Sequence, residues 1–204
     1  MTRIILASAS PRRRELLAAL VSGFEVIPAD VPEPLAGDPC ENAVALAVAK
    51  AAAVARTFPG AVVIGSDTIV HDGRSPFGKP LDGADATQML RALRGREHVV
   101  ATGVAVVTPE VSASGCSLTT VSLTNLTDTQ IAAYVASGRP LDKAGAYAIQ
   151  DEDIPTVSAI EGCYCGVMGL PLWLLGRLLT QAGIETGDPP ATFERCAVCP
   201  ERSS

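Results

Sequence analysis

The chain has 204 residues, 48% of them apolar and only 4% aromatic, which is enough for one sizeable domain with a core of Val, Leu, Ile and Ala. Its 22 acidic side chains against 16 Lys and Arg leave a net charge of −6, which argues against general affinity for nucleic acid or an anionic membrane. No run approaches the length of a membrane span, and Arg3 is followed by only a few apolar residues, so a soluble cytoplasmic protein without a signal peptide is expected.

Residues 3–7 read as a strand and 11–20 as a helix. Within "ILASASPRRRELL" (4–16) Ser10 suits the N-cap, and Pro11 suits the first helical position, where its missing N–H costs nothing. Arg12, Arg13 and Arg14 then fall in the first turn, where the macrodipole disfavours each cation by roughly 0.3–1 kcal/mol. A second strand over 24–29 leads into an irregular Pro-rich stretch that runs to Pro39. "ENAVALAVAKAAAVAR" (41–56) is an Ala-rich helix, and "AVVIGSDTIV" (61–70) has the near-continuous apolar character of a strand buried on both faces. After a loop with Gly73 and Gly78 comes a helix over 85–94, with Met89, Leu90 and Leu93 inward and Gly95 as its stop.

Residues 98–108 and 117–125 form an expected strand pair across a Gly/Ser turn. Thr127 with Gln130 is a capping box, opening a helix that ends at Gly138. "AGAYAIQ" (144–150), "TVSAI" (156–160) and "CYCGVMG" (163–169) are short strand candidates. Pro171 begins a last amphipathic helix closed by Gly183. From residue 186 the chain has Pro-Pro, charges and little periodicity, so a domain over 1–185 and a loose C-terminal tail over 186–204 are expected. The class is α/β with a mixed sheet.

Three places carry candidate chemistry. After the first strand, Ser8, Ser10, backbone N–H groups and the arginine forks converge on one point, which is a ready anion site. The bland alternative is a solvated basic helix end. Neither G-x-x-x-x-G-K-[ST] nor G-x-G-x-x-G is present. Asp67 interrupts the most apolar strand; it is either paired structurally or stands at a site mouth as metal ligand or base. Lys50, in a helix with few other charges, either snorkels or reaches a phosphate. Lys79 in "GKP" (78–80) and "LDKAGAYAIQ" (141–150) read alone as solvated loop features, although the Gln150 amide can read a base edge.

Of six cysteines (40, 116, 163, 165, 196, 199) most are expected to be reduced in such a compartment. Cys196-x-x-Cys199 is a weak metal or redox signal; a zinc site needs two more ligands, which Cys163 and Cys165 can in principle supply. His71 and His98 are isolated and receive no role.

Seven stretches in chain order, "LASASPRRRELL", "ENAVALAVAKAAAVA", "VIGSDTIV", "GKP", "MLRALRGREHVVATGVAV", "YVASGRPLDKAGAYAIQ" and "VMGLPLWLLGRLL", together resemble the Maf family of nucleoside triphosphate pyrophosphatases. The resemblance spans residues 3–183. It implies an elongated mixed β-sheet with flanking helices and a cleft between two lobes, similar to the inosine triphosphatases, in a homodimeric enzyme. Its activity would be cleavage of a nucleoside triphosphate to the monophosphate and pyrophosphate with a divalent cation, Mg²⁺ or Mn²⁺. By the same resemblance Ser8, Arg12, Arg13, Lys50 and Lys79 fall at phosphate-binding positions, Glu33 at an acidic position suited to the metal, and Asp67 at the position of the general base or metal ligand.

Arg12, Thr68 and Gln150 are similar to the branch acting on dTTP and UTP. The branch acting on 7-methyl-GTP usually has Gln after the catalytic Asp, and Ser-Glu in place of Ile149-Gln150. Asp151 departs from the family, where a Gly usually follows, and the cysteine-bearing tail lies outside its pattern. A regulator of division that binds nucleotide without hydrolysing it is the competing class of reading.

Overall fold

The computed structural model describes residues 2–32, 37–151 and 153–203. In chain order these form β1 (Ile4–Leu6), α1 (Pro11–Leu17), β2 (Glu25–Val26), α2 (Pro39–Ala55), β3 (Val62–His71), β4 (Pro76–Phe77) and α3 (Gly83–Leu93). There follow β5 (Glu97–Val107), β6 (Ser112–Leu123), α4 (Asp128–Ala136), β7 (Val157–Glu161), α5 (Tyr164–Met168) and α6 (Leu172–Gln181). The sheet runs β2-β1-β3-β5-β6-β7, with β4 paired to the far end of β3. β1 is parallel to β2 and to β3, and every other pairing is antiparallel, so the sheet is mixed. Among the described residues no helix is long and apolar enough to cross a membrane.

Side chains alternate across the sheet as strand geometry requires. Ile4, Leu6, Val62, Ile64, Val104 and Val106 face α1, α5 and α6. Ile5, Ala7, Val63 and Ala105 face α2. Further along the same long strands, Val70, Val100, Val121 and Leu123 pack under α3 and α4. β3 is therefore covered on both faces, as its unbroken apolar run suggests.

The alanines of α2 let it lie unusually close to the sheet. A Cβ on Gly65 would stand 2.1 Å from the Ala47 carbonyl oxygen, and one on Gly103 would stand 2.2 Å from the Ala43 backbone. Only glycine fits at either position. Gly103 is directly opposite Asp67 on the β3–β5 ladder, and Lys50 follows Ala47 by one helical turn. The same contact that seats the helix thus brings Lys50 over Asp67.

Several sequence expectations change. β2 has only two residues, both exposed at the sheet edge, rather than six. The β5–β6 turn lies at 108–111, closed by Thr108 Oγ1 accepting from the Val111 N–H at 2.9 Å, and the "SASG" expected to turn is strand. "AGAYAIQ" is not a strand: Gly145 and Ala146 both have positive φ, of 71° and 60°, which breaks extension. "CYCGVMG" is the short helix α5, capped by Cys163 and stopped by Gly169 at φ 112°. The segment after residue 186 is not loose. It makes 3₁₀ turns at Pro189–Ala191, Glu194–Val198 and Pro200–Ser203, and buries Cys196 and Cys199 in the core beneath α5 and α6. Aperiodicity hides this packing, because 3₁₀ turns offer no long amphipathic repeat. Cys40 and Cys116 are joined in a disulfide, whereas the other four cysteines are free thiols.

Two outcomes follow from this packing. Gly65→Ala should cost about 3 kcal/mol or more, because the obstructing atoms are helix backbone. Thermal denaturation would show a Tm drop of roughly 6–12 °C; an unchanged Tm would mean that α2 can lift off the sheet freely. The second concerns His98, which is buried and shares a 2.7 Å hydrogen bond between Nε2 and the Tyr147 hydroxyl. Burial pushes its pKa down from 6.5 to about 4. The unfolded chain therefore takes up this proton first, and stability is lost as pH falls from 6.5 toward 4, by about 3 kcal/mol at most. Urea unfolding at pH 7 and 4.5 should show that slope, and His98→Asn should flatten it.

Candidate active site

The turn between β1 and α1 opens onto a cavity of about 600 Å³. Ser8, Arg12 and Arg13 line it from the turn and α1, Lys50 from α2, Asp67 and Thr68 from β3, Lys79 from the loop after β4, and Gln150 from the segment before β7. Residues far apart in sequence thus meet around one hollow. Glu33 lies outside the described residues.

α1 begins as its sequence suggests, with the Ser10 hydroxyl accepting from the Arg13 N–H at 3.4 Å and Pro11 in the first position. The three arginines diverge from there. Arg14 is exposed. Arg13 turns inward: its Nε donates to the Gly169 carbonyl at 2.8 Å, one terminal nitrogen to Ser8 Oγ at 3.3 Å, and the other to Thr68 Oγ1 at 3.1 Å. One guanidinium therefore ties the anion turn, β3 and the end of α5 together. Arg12 reaches across the cavity to Asp142, 3.0 Å from Oδ2. Each inward arginine gains an acceptor that offsets its cost at the positive end of the helix.

Thr68 is fixed from both sides, since its hydroxyl also lies within hydrogen-bond distance, 3.1 Å, of Thr102 Oγ1 on the neighbouring strand β5. Ser66 Oγ lies within 2.9 Å of the Gly169 carbonyl, the oxygen that also receives Arg13. At the cavity floor Lys50 Nζ stands 2.6 Å from Asp67 Oδ1, both groups being mostly buried. Asp67 is thus structurally paired and also part of the cavity lining.

The described lining carries five cationic side chains, Arg12, Arg13, Lys50, Lys79 and Lys143, against the two carboxylates of Asp67 and Asp142. In a chain of net charge −6 that local excess selects for a polyanion. Sequence reasoning did not place Asp142 and Lys143 in the site. Lys143 Nζ holds Asp142 Oδ1 at 2.7 Å, so the pair braces Arg12 from below. Partial burial opposes ionisation of Asp142, but Lys143 and Arg12 outweigh it and hold the carboxyl below its usual range. The only signal was the density of polar residues in "LDKAGAYAIQ". Asp151 accepts a hydrogen bond from the buried Tyr134 hydroxyl and so anchors the segment carrying Gln150 to α4.

A family model described as Maf-like protein matches residues 3–182. A protein of Thermomicrobium roseum named dTTP/UTP pyrophosphatase is 43% identical over 205 residues, covering 97% of this chain and 94% of its own. Proteins of the same name from Koribacter versatilis, 46% identical over 183 residues, and Geobacter sulfurreducens, 48% identical over 174, cover 89% and 83% of this chain and 95% and 91% of their own.

Proposed function

The chain belongs to the family of Maf-like proteins, and on that premise we propose that it hydrolyses dTTP and UTP to the monophosphate and pyrophosphate. The observation that carries this reading is the cavity in which a buried carboxylate, Asp67, meets five cationic side chains. Phosphoanhydride cleavage demands chiefly positioning and charge neutralisation, which is what such a lining supplies.

In this reading the triphosphate lies along the β1–α1 turn. Ser8 and the N–H groups of the turn donate to its oxygens, Arg12 and Lys79 close over it, and Arg13 keeps the turn in place from behind. Asp67 takes a proton from a water aimed at the α-phosphorus. The water oxygen bonds to that phosphorus, the bond from phosphorus to the bridging oxygen breaks, and pyrophosphate leaves with the electron pair into the cationic cradle. Lys50 holds one carboxylate oxygen of Asp67, which fixes the direction in which the other points. Thr68 and Gln150 face the base and set the pyrimidine preference.

Hydrated divalent cations of the Mg²⁺ type bind through one or two carboxylates plus substrate phosphate oxygens, and Asp67 in the cavity lining supplies one such carboxylate. Asp67 would hold it with the triphosphate, Glu33 being the second carboxylate of this reading. When bound, Mg²⁺ or Mn²⁺ neutralises phosphate charge and lowers the cost of ionising the water. The family resemblance further supports a homodimer, and the overall acidity supports the absence of a nucleic-acid partner.

Pyrophosphate release measured over dTTP, UTP, CTP, 7-methyl-GTP and ITP with Mg²⁺ tests the assignment. The expected result is preference for dTTP and UTP. A dominant rate on 7-methyl-GTP would overturn the roles of Thr68 and Gln150, and a flat profile near zero would favour the non-hydrolysing regulator. Asp67→Asn should lower kcat by roughly two to four orders of magnitude. It removes the carboxylate charge that Lys50 Nζ faces at 2.6 Å, so stability should also fall, visible as a lower Tm of a still folded protein. Near-wild-type turnover would sink the role of Asp67.

A further inference from the structure

The C-terminal segment brings Cys196 and Cys199 beneath α5, next to Cys163 and Cys165. All four are buried free thiols, with exposures of 1% for Cys163 and Cys165, 2% for Cys196 and 8% for Cys199. They meet as two pairs. The Cys165 and Cys196 sulfurs are 3.4 Å apart, and the Cys163 and Cys199 sulfurs lie with a Glu201 carboxylate oxygen inside a triad no wider than 4.8 Å. Sulfurs on a tetrahedral Zn²⁺ at about 2.3 Å lie about 3.8 Å apart, a spacing close to the 3.4 Å of the Cys165–Cys196 pair, and the two pairs closing on one ion would complete such a set.

A second observation concerns charge. Glu201 accepts from Ser117 Oγ through Oε1, but its buried Oε2 has no hydrogen-bond partner among the described residues. A buried carboxylate oxygen without a donor, on a side chain that meets two sulfurs, is costly unless a cation stands there. The segment is also held as a ligand-bearing arm should be. Trp173 Nε1 donates to the Cys196 carbonyl at 2.9 Å, Arg177 donates to the Glu201 carbonyl at 2.8 Å, and the Arg195 and Arg202 guanidinia lie over the Tyr164 and Trp173 rings. These arginines also offset the negative charge of a thiolate set.

We propose that Cys163, Cys165, Cys196 and Cys199 bind one structural Zn²⁺, with the Glu201 carboxylate beside it, and that this ion clamps the C-terminal segment onto the domain. Thiolate softness and the tetrahedral requirement select zinc over the hard cation of the active site. The clamp has a route to the cavity. α5 spans only five residues, with Cys163 and Cys165 at its start and, directly after its end, Gly169, whose carbonyl holds Arg13 and Ser66. Zinc at one end steadies the oxygen at the other.

The test uses the full chain, purified with reductant and without chelator. Elemental analysis should give about one zinc per chain, released when a mercurial titrates the four thiols. Co²⁺ exchanged into the wild-type protein should show thiolate-to-cobalt charge transfer and the intense visible bands of a tetrahedral sulfur site. Cys196→Ser/Cys199→Ser should lose at least about tenfold in bound zinc and lower Tm, whereas Asp67→Asn should keep its zinc, which separates this ion from any metal of the cavity. Zinc below about a tenth of an equivalent after refolding with added Zn²⁺, iron in its place, disulfides among these four cysteines by mass spectrometry, or unchanged zinc in the double variant would each overturn the proposal.

Discussion

The distance between α2 and the sheet governs the rest of this molecule. Gly65 and Gly103 remove the two side chains that would hold the helix away, and Ala43 and Ala47 present the matching small surface. The backbones come so close that Lys50, one turn along, cannot avoid Asp67. Two opposite charges are then mostly buried together, where desolvation makes either one alone expensive. A larger residue at either glycine would move Lys50 out of ion-pair range and leave Asp67 as an isolated carboxylate in an apolar strand. Packing and charge are thus a single constraint.

A second ring of contacts depends on the same strand. Arg13 anchors to Thr68, Ser8 and the Gly169 carbonyl, and Ser66 shares that carbonyl, so α1, β3 and the end of α5 are joined at one oxygen and the turn after β1 is tied in through the same guanidinium. Arg13 directs its donors to protein oxygens, whereas Arg12 pairs with Asp142 across the cavity and Arg14 is exposed. The three consecutive arginines are therefore three different residues: one braces, one spans the cavity and one faces solvent.

Local signals were legible wherever a single element carried them. The Ser10–Pro11 start of α1, the Thr127–Gln130 capping box and the doubly buried β3 all follow from neighbouring residues, and the structure has them. Features needing a long-range partner were not. Asp142 and Lys143 resembled an incidental polar turn because Arg12 lies 130 residues away. "CYCGVMG" resembled a strand because its helical stop, Gly169, is set by contacts with Arg13 and Thr68 and not by periodicity. The family resemblance supplied the candidate residues as a set, whereas their pairing, Lys50 on Asp67 and Arg12 on Asp142, came only from the fold.

The C-terminal segment lies beyond the residues that the family model matches and packs into the core behind α5 and α6. The C-terminal segment has no amphipathic repeat, yet Pro189, Cys196 and Cys199 are buried by it. Its residues reach the core through turns stabilised by aromatic stacking and carbonyl acceptors, and not through helix or sheet. Such a segment has little cooperative structure of its own, so its order must be borrowed from side chains it meets on α5 and α6. Four thiols and a carboxylate at that junction give it a point of attachment that ordinary apolar contact would not. The placement matters because α5 is too short to absorb a disturbance: what loosens Cys163 at its first turn is felt at Gly169, and through that carbonyl at the guanidinium that holds the anion turn in place.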